Sequence, residues 1–263
     1  MRYKKFSLLV LSSLLVFGGT IYAADSINKK EREVEPLPLI ELDNVPVGAK
    51  EQLNFASNIN IKEKMLNSVD YFTNASGIYS VVIDHIQVNE TIEFEVEQSP
   101  VKKSKVTTIN HNTEEVSHHK FEEEKIQIFD ENYLVDEVNT DQISIGKPIG
   151  ERHLTTSSGE NIYVYRNDPA FSGPAQDYLL PQAYAFWLND DINNYEIIGT
   201  EKYLEREVTI IKGIHEPDMA EKHNAINFEL WVDNNSGILL KLIEKNENGE
   251  VTNLIQAEEI FIQ

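Results

Sequence analysis

Cysteine is absent from this 263-residue chain, and tryptophan and methionine are scarce, at two and three residues. Without thiols there is no disulfide framework, no thiolate metal centre, no cysteine nucleophile and no anchor for the acyl chains of a bacterial lipoprotein. Phosphate-cradling loops are missing too, because the 12 glycines sit mostly singly at turns. Neither a G-x-S-x-G elbow nor an H-E-x-x-H pair occurs. Basic residues are outnumbered 23 to 44, and a formal charge of −21 sets the surface against nucleic acid and anionic membranes. These absences exclude the chemistry that leaves a local motif. No catalytic residue, metal or cofactor is expected, and the chain reads as a non-enzyme.

What is present begins with a hydrophobic content of 41%, enough for a sizeable core. Arg2, Lys4 and Lys5 precede an apolar run from Phe6 to Phe17 and small residues ending in Ala23 and Ala24, the order of a secretory signal. The run is shorter than the ~20 apolar residues of a permanent span. A cut after Ala23 or Ala24 would place Ile21 or Tyr22 three positions back, so residues 1–24 read as a signal peptide or an uncleaved signal anchor. Export, to the cell envelope or beyond, follows from either. Losing the segment removes three basic residues and no acid, leaving 20 against 44 and a charge of −24. Residues 25–52 mix charge with Pro36, Pro38 and Pro46 and read as a flexible tether. Residues 53–263 form a single folded domain.

That domain opens with a helix. Asn60 and Glu63 fit a capping box, and Ile61, Met65, Leu66, Val69 and Phe72 recur at helical spacing. Strands are expected at 77–88, 91–98, 104–109, 115–122, 125–129, 141–146 and 161–166. In "TIEFEVEQ", Ile92, Phe94 and Val96 alternate with glutamates, giving one dry and one wet face. The pattern breaks between Asp168 and Asp191. There Phe171, Tyr178, Leu179, Leu180, Tyr184, Phe186 and Trp187 crowd together, while Pro174 and Pro181 each suit the first turn of a short helix. Two short helices over the sheet are predicted. Strands resume at 194–203, 206–213, 226–233, 238–246 and 250–263, and the turns "DNNSG" and Asn248-Gly249 join the last three into an antiparallel meander. Phe228, Leu230 and Val232 face one side and Trp231 the other; Ile238, Leu240 and Leu242 likewise oppose Leu239 and Ile243. The sheet is therefore covered on both sides there, or lines an apolar groove.

The histidines offer little. His118 and His119 are strand neighbours that point to opposite faces and cannot share a metal. "HEPDMAEKH", His215 to His223, is interrupted by Pro217 and reads as a solvated loop rather than a zinc site.

"YEIIGTEKYLEREVTIIKG", Tyr195 to Gly213, followed by "FELWVDNNSGILLKLIEKNENGEV", carries Gly199, Glu201, Arg206, Trp231, Asp233, Gly237, Leu240 and Lys241. This spacing resembles the superfamily that joins the lipoprotein carrier LolA with the N-terminal domains of RseB and MucB, regulators of envelope-stress sigma factors. The resemblance implies an α+β fold, an antiparallel β half-barrel with helices as a lid on its concave face, over a cavity for acyl chains. On that footing Tyr178, Leu179, Leu180, Tyr184, Phe186 and Trp187 are the lid and groove candidates, with simple sheet cover as the alternative. Trp231 and Phe228 are expected in the core, and Arg206 in an ordinary surface ion pair. The chain stops at Gln263 without the second domain that RseB uses to hold its anti-sigma partner. The expected function is an exported binding protein that holds a lipid, an acylated protein or an apolar peptide. The alternative is an envelope-stress sensor or regulator docking on a membrane-bound signalling partner such as an anti-sigma factor.

Overall fold

The structure, a computed structural model, describes residues 61–140, 153–155, 157, 161–166, 168, 173–188 and 194–263. The chain divides into Met1–Leu53 and Asn54–Gln263, and every described residue belongs to the second unit. The expectations for residues 1–52, for the capping residue Asn60, for Phe171 and for a strand at 141–146 lie outside the described residues.

Residues 61–66 are helical (α1) and run through a 3-10 turn at Ser68–Asp70. Six strands follow: β1 (Asn74–Ile83), β2 (Val88–Glu97), β3 (Lys103–Asn110), β4 (Val116–Glu122), β5 (Lys125–Asp130) and β6 (Tyr133–Asn139). A small hairpin, β7 (His153–Thr155) with β8 (Asn161–Tyr163), stands as its own sheet. After α2 (Gln176–Leu179) and α3 (Gln182–Trp187) come β9 (Tyr195–Tyr203), β10 (Arg206–Ile214), α4 (Pro217–His223), β11 (Asn227–Asp233), β12 (Leu239–Lys245) and β13 (Val251–Ile262).

Eleven strands make one open antiparallel sheet in the order β6-β5-β4-β3-β2-β1-β13-β12-β11-β10-β9. Every pairing but one joins strands adjacent in sequence. The exception, β1 with β13, runs from Ala75 opposite Ile262 to Ile83 opposite Asn253 and joins two meanders into a single sheet. This is the α+β antiparallel half-barrel expected from the sequence.

Register selects the face that packs. Phe121 lies opposite Ser104, Ser104 opposite Val96, Ile92 opposite Tyr79 and Tyr79 opposite Ala257. Val81 lies opposite Ile255, Ile255 opposite Leu242, Leu242 opposite Leu230 and Leu230 opposite Ile211. All of these are buried, and directly opposed residues share a face, so one continuous face spans β4 to β10. Ile61, Met65 and Leu66 of α1, with Val69 and Phe72 beyond it, are buried in the same core. Glu93 and Glu95 of β2 are exposed, which gives the wet face read from "TIEFEVEQ".

Several elements differ from expectation. The strand predicted over 77–88 ends at Ile83; a 3-10 turn at Asp84–Ile86 and Gln87 in the left-handed region turn the chain into β2. The strand expected over 161–166 is limited to Asn161–Tyr163. Strand β6 was not anticipated: all seven of its residues are exposed, so it lacks the dry and wet alternation by which strands are read. Residues 217–223 form a helix rather than a loop, because Pro217 occupies its first turn, where no N–H is required, and Asn224 closes it in the left-handed conformation.

Arg206 also departs from its expected surface pairing. Its Nε and Nη2 donate to Asp233 Oδ1 and Oδ2 at 2.7 and 3.1 Å, and the Asp233 side chain is 0% exposed. Asp233 Oδ2 further accepts from the Ser236 N–H at 2.8 Å and hydroxyl at 2.6 Å, which folds the β11–β12 turn. That turn packs on α1: Lys64 Nζ donates to the Asn234 carbonyl at 2.6 Å. Gly237, at φ +77°, lies so close that a Cβ would stand 2.5 Å from the Lys64 carbonyl oxygen. Asp233→Ala leaves a guanidinium and two turn donors without their acceptor, and should lower the unfolding free energy by about 3–5 kcal/mol, read as a lower urea midpoint. A loss below ~1 kcal/mol would return the pair to the surface class.

Candidate ligand-holding face and its aromatic strap

The segment Gly173–Leu188 crosses the buried face as a strap. At one end a Cβ on Gly173 would stand 3.0 Å from the His119 ring on β4. In the middle Tyr178 lies 4.8 Å, ring to ring, from Tyr79 on β1, which itself stacks on Phe94 at 5.7 Å. At the far end Trp187 lies 5.3 Å from Phe228 on β11. The strap thus passes over the sheet from β4 to β11, six strand intervals or roughly 29 Å.

Proline and polar side chains position it. Pro181 breaks the chain between α2 and α3 as the N-cap of the second helix. Gln182 accepts from the Arg166 N–H at 2.6 Å and donates to the Arg166 carbonyl at 2.9 Å, while the Arg166 guanidinium grips Asp70 with two bonds of 2.7 and 2.8 Å. The Ser68 hydroxyl donates to the Leu179 carbonyl. Helices of four and six residues are too short to persist alone, so burial and these ties hold them.

The six candidates from the sequence all lie on this strap, but their partners differ. Tyr178, Leu179, Leu180 and Phe186 are buried, whereas Tyr184 and Trp187 are half-buried. Tyr178 meets the sheet. Phe186 turns to Tyr163 and Tyr165, at 4.8 and 5.1 Å, and Tyr184 stands edge-on to Trp187 at 4.8 Å. Of the two expected core aromatics, Phe228 is fully buried. Trp231 lies on the opposite face under the Lys241 ammonium, 5.1 Å from its ring, and its indole N–H donates to Glu201 at 2.6 Å. His118 and His119 do diverge: His118 Nδ1 pairs with Thr107 Oγ1 at 3.0 Å, while His119 lies under the strap, where burial and then the neighbouring His118 hold its pKa below the ordinary value. Two open grooves, of about 390 and 430 Å3, lie on β1–β4 among charged residues and Phe261, and neither includes a strap residue.

Sequence reading missed a buried polar cluster beside Trp187. His215 Nε2 lies 2.6 Å from Glu244 Oε1, and His223 Nδ1 lies 3.1 Å from the same oxygen. Asn253 Nδ2 donates to Glu244 Oε2 and to the His223 carbonyl, both at 2.9 Å. The two imidazoles stack at 5.3 Å, with Trp187 edge-on to each at 4.6 and 5.2 Å. The readable signal was Glu244 itself, which continues the inward phase of Leu240 and Leu242. Burial by itself would raise its pKa; hydrogen bonds to His215 and His223, aided by their charge, outweigh this and hold it at about 2. Because the folded value lies below the ordinary 4.5, the ionised carboxylate stabilises the fold above pH 4.5 and that contribution fades as pH falls toward 2. The stability gap between wild type and Glu244→Gln, measured by urea unfolding, should be widest near neutrality and narrow below pH 4.5; a constant gap would contradict the depressed value.

No family model and no curated protein matches this sequence. Among solved structures, the MucA/MucB complex of Pseudomonas aeruginosa is similar at 13% identity and a TM-score of 0.42, over 79% of this chain and 57% of that one. This chain thus spans little more than half of the MucB-type chain it matches. LprF from Mycobacterium bovis is similar at 9% identity and a TM-score of 0.40, with 79% and 91% covered. The lipoprotein LppX of Mycobacterium tuberculosis gives 12%, 0.40, 80% and 94%.

Proposed function

We propose that this chain is an exported, non-enzymatic binding protein that holds an apolar chain, from a lipid, an acylated protein or an apolar peptide, between the sheet and the strap. The observation that carries this reading is the strap itself: a run of large apolar side chains laid across an apolar sheet face by two helices held by burial and a few hydrogen bonds. An acyl chain entering beneath it exchanges like for like. Tyr178, Leu179 and Leu180 give up contacts with the sheet, and the incoming methylenes contribute ~0.8 kcal/mol each. Specificity would then rest on length and shape more than on polar recognition.

Native mass spectrometry of the protein purified from its own host envelope without detergent, followed by organic extraction, tests this. A co-purifying lipid or acylated peptide is expected. A clean apo mass, unchanged by challenge with fatty acids and phospholipids, would overturn the carrier reading. Replacing Leu180 and Trp187 by serine should reduce uptake of a fluorescent fatty acid several-fold while the strand signal in circular dichroism persists. Loss of that signal would assign both residues to the core.

A second reading has its own support. Strand β6, the edge of the sheet among the described residues, exposes Tyr133, Leu134, Val135 and Val138 on both of its faces, beside a backbone edge with no strand partner among those residues. Such an edge suits addition of a strand from a partner, as a regulator docking on a membrane-bound signalling protein would require. Contacts through the acidic surface weaken as the Debye length falls from ~10 Å at 0.1 M salt to ~3 Å at 1 M, whereas acyl burial does not. Ligand retention that is insensitive to salt therefore separates acyl burial from a contact made through the acidic surface.

A further inference from the structure

We propose that His215, His223 and Glu244 form a zinc(II) site that clamps α4 to the sheet beside Trp187. The proposal rests on this cluster alone and stands whether or not the strap admits a ligand.

The donor atoms converge. One nitrogen from each imidazole and a carboxylate oxygen of Glu244 all lie within 4.8 Å of one another. His215 Nε2 addresses Oε1 at 2.6 Å, and His223 Nδ1 straddles the carboxylate, 3.1 Å from Oε1 and 3.3 Å from Oε2. Zinc holds nitrogen and oxygen ligands at ~2.0–2.2 Å in a tetrahedron, which sets its donors roughly 3.4 Å apart. His223 and Glu244 are already near that spacing, His215 must withdraw from Oε1 by about 0.8 Å, and the widest donor separation, up to 4.8 Å, must close by about 1.4 Å. The other carboxylate oxygen is engaged by Asn253 Nδ2, which also holds the backbone of His223. Such an outer partner fixes the carboxylate, and Oε1, the oxygen nearer to both imidazoles, is the one placed to bind the ion.

Charge and access agree with the geometry. Glu244 is 2% and His215 1% exposed, so a cation there would compensate an anion drawn out of water. His223 is 18% exposed and sits at the end of α4, so the site meets solvent at this imidazole. Glu216, Asp218 and Glu221 are exposed on the same segment together with Lys222, and the chain's formal charge of −21 favours cations over anions near it. The donor set decides the class of ion. Two imidazoles and one carboxylate suit zinc, with a fourth position left for water, whereas magnesium and calcium prefer oxygen alone.

The test is zinc titration of the full chain by calorimetry after chelator treatment, in excess magnesium to occupy scattered surface carboxylates. One zinc per chain is expected, with affinity at least tenfold lower in His223→Ala and in Glu244→Gln and with circular dichroism unchanged. Should Glu244→Gln fail to fold, the partly exposed His223→Ala decides the matter. Zinc should also raise the melting temperature of the wild type and not that of His223→Ala. Equal affinity and stoichiometry in wild type and His223→Ala, or no binding in magnesium, would overturn the proposal and leave the triad as a hydrogen-bonded clamp.

Discussion

The pairing of β1 with β13 is the constraint on which the rest of the molecule depends. Each meander can form from neighbouring strands, but only this ladder, whose paired residues lie 170 to 187 positions apart, makes their apolar faces continuous. The strap, α1 and the β11–β12 turn all pack on or beside the surface it creates. Such a remote contact is slow to form, because the chain entropy of closing a long loop is lost before any burial repays it. Until it forms, two strand edges stand open to other chains. A chain carrying 44 acidic against 23 basic residues keeps its partly folded copies apart by repulsion.

Strands with one dry face announced themselves in the sequence. Ile92, Phe94 and Val96, or Phe228, Leu230 and Val232, alternate because their register alternates. The aromatic segment between Asp168 and Asp191 was legible as two short helices because proline at 181 can end one helix and begin another. What failed to show was structure without contrast. β6 is wet throughout, and the turn at Asp84–Ile86 sits inside an apolar run that continues on both sides of it. Pro217 was read as a breaker although proline is also a favoured helix start.

The polar sites were hidden for a different reason. Arg206 and Asp233 were both marked by the family resemblance, yet their energetic weight comes from burial, which depends on Ser236 and on the approach of α1. Glu244 sits in phase with Leu240 and Leu242, but its partners His215, His223 and Asn253 come from three other places in the chain. A pattern local to one strand exposes the anomaly of a buried acid and cannot say what balances it. The strap meets this cluster at Trp187, and Phe228 of the apolar face touches both Trp187 and His215.

That meeting point gives the molecule an optical signature. Of its two tryptophans, Trp187 lies in the strap against two imidazoles and Phe228, and Trp231 lies on the opposite sheet face beneath Lys241. Indole emission shifts toward the red as the ring meets water, and a neighbouring imidazole quenches it. Movement of the strap would therefore alter the emission of one indole while the other stays constant as an internal reference, so a chain with little tryptophan reports on its own covering segment without a label.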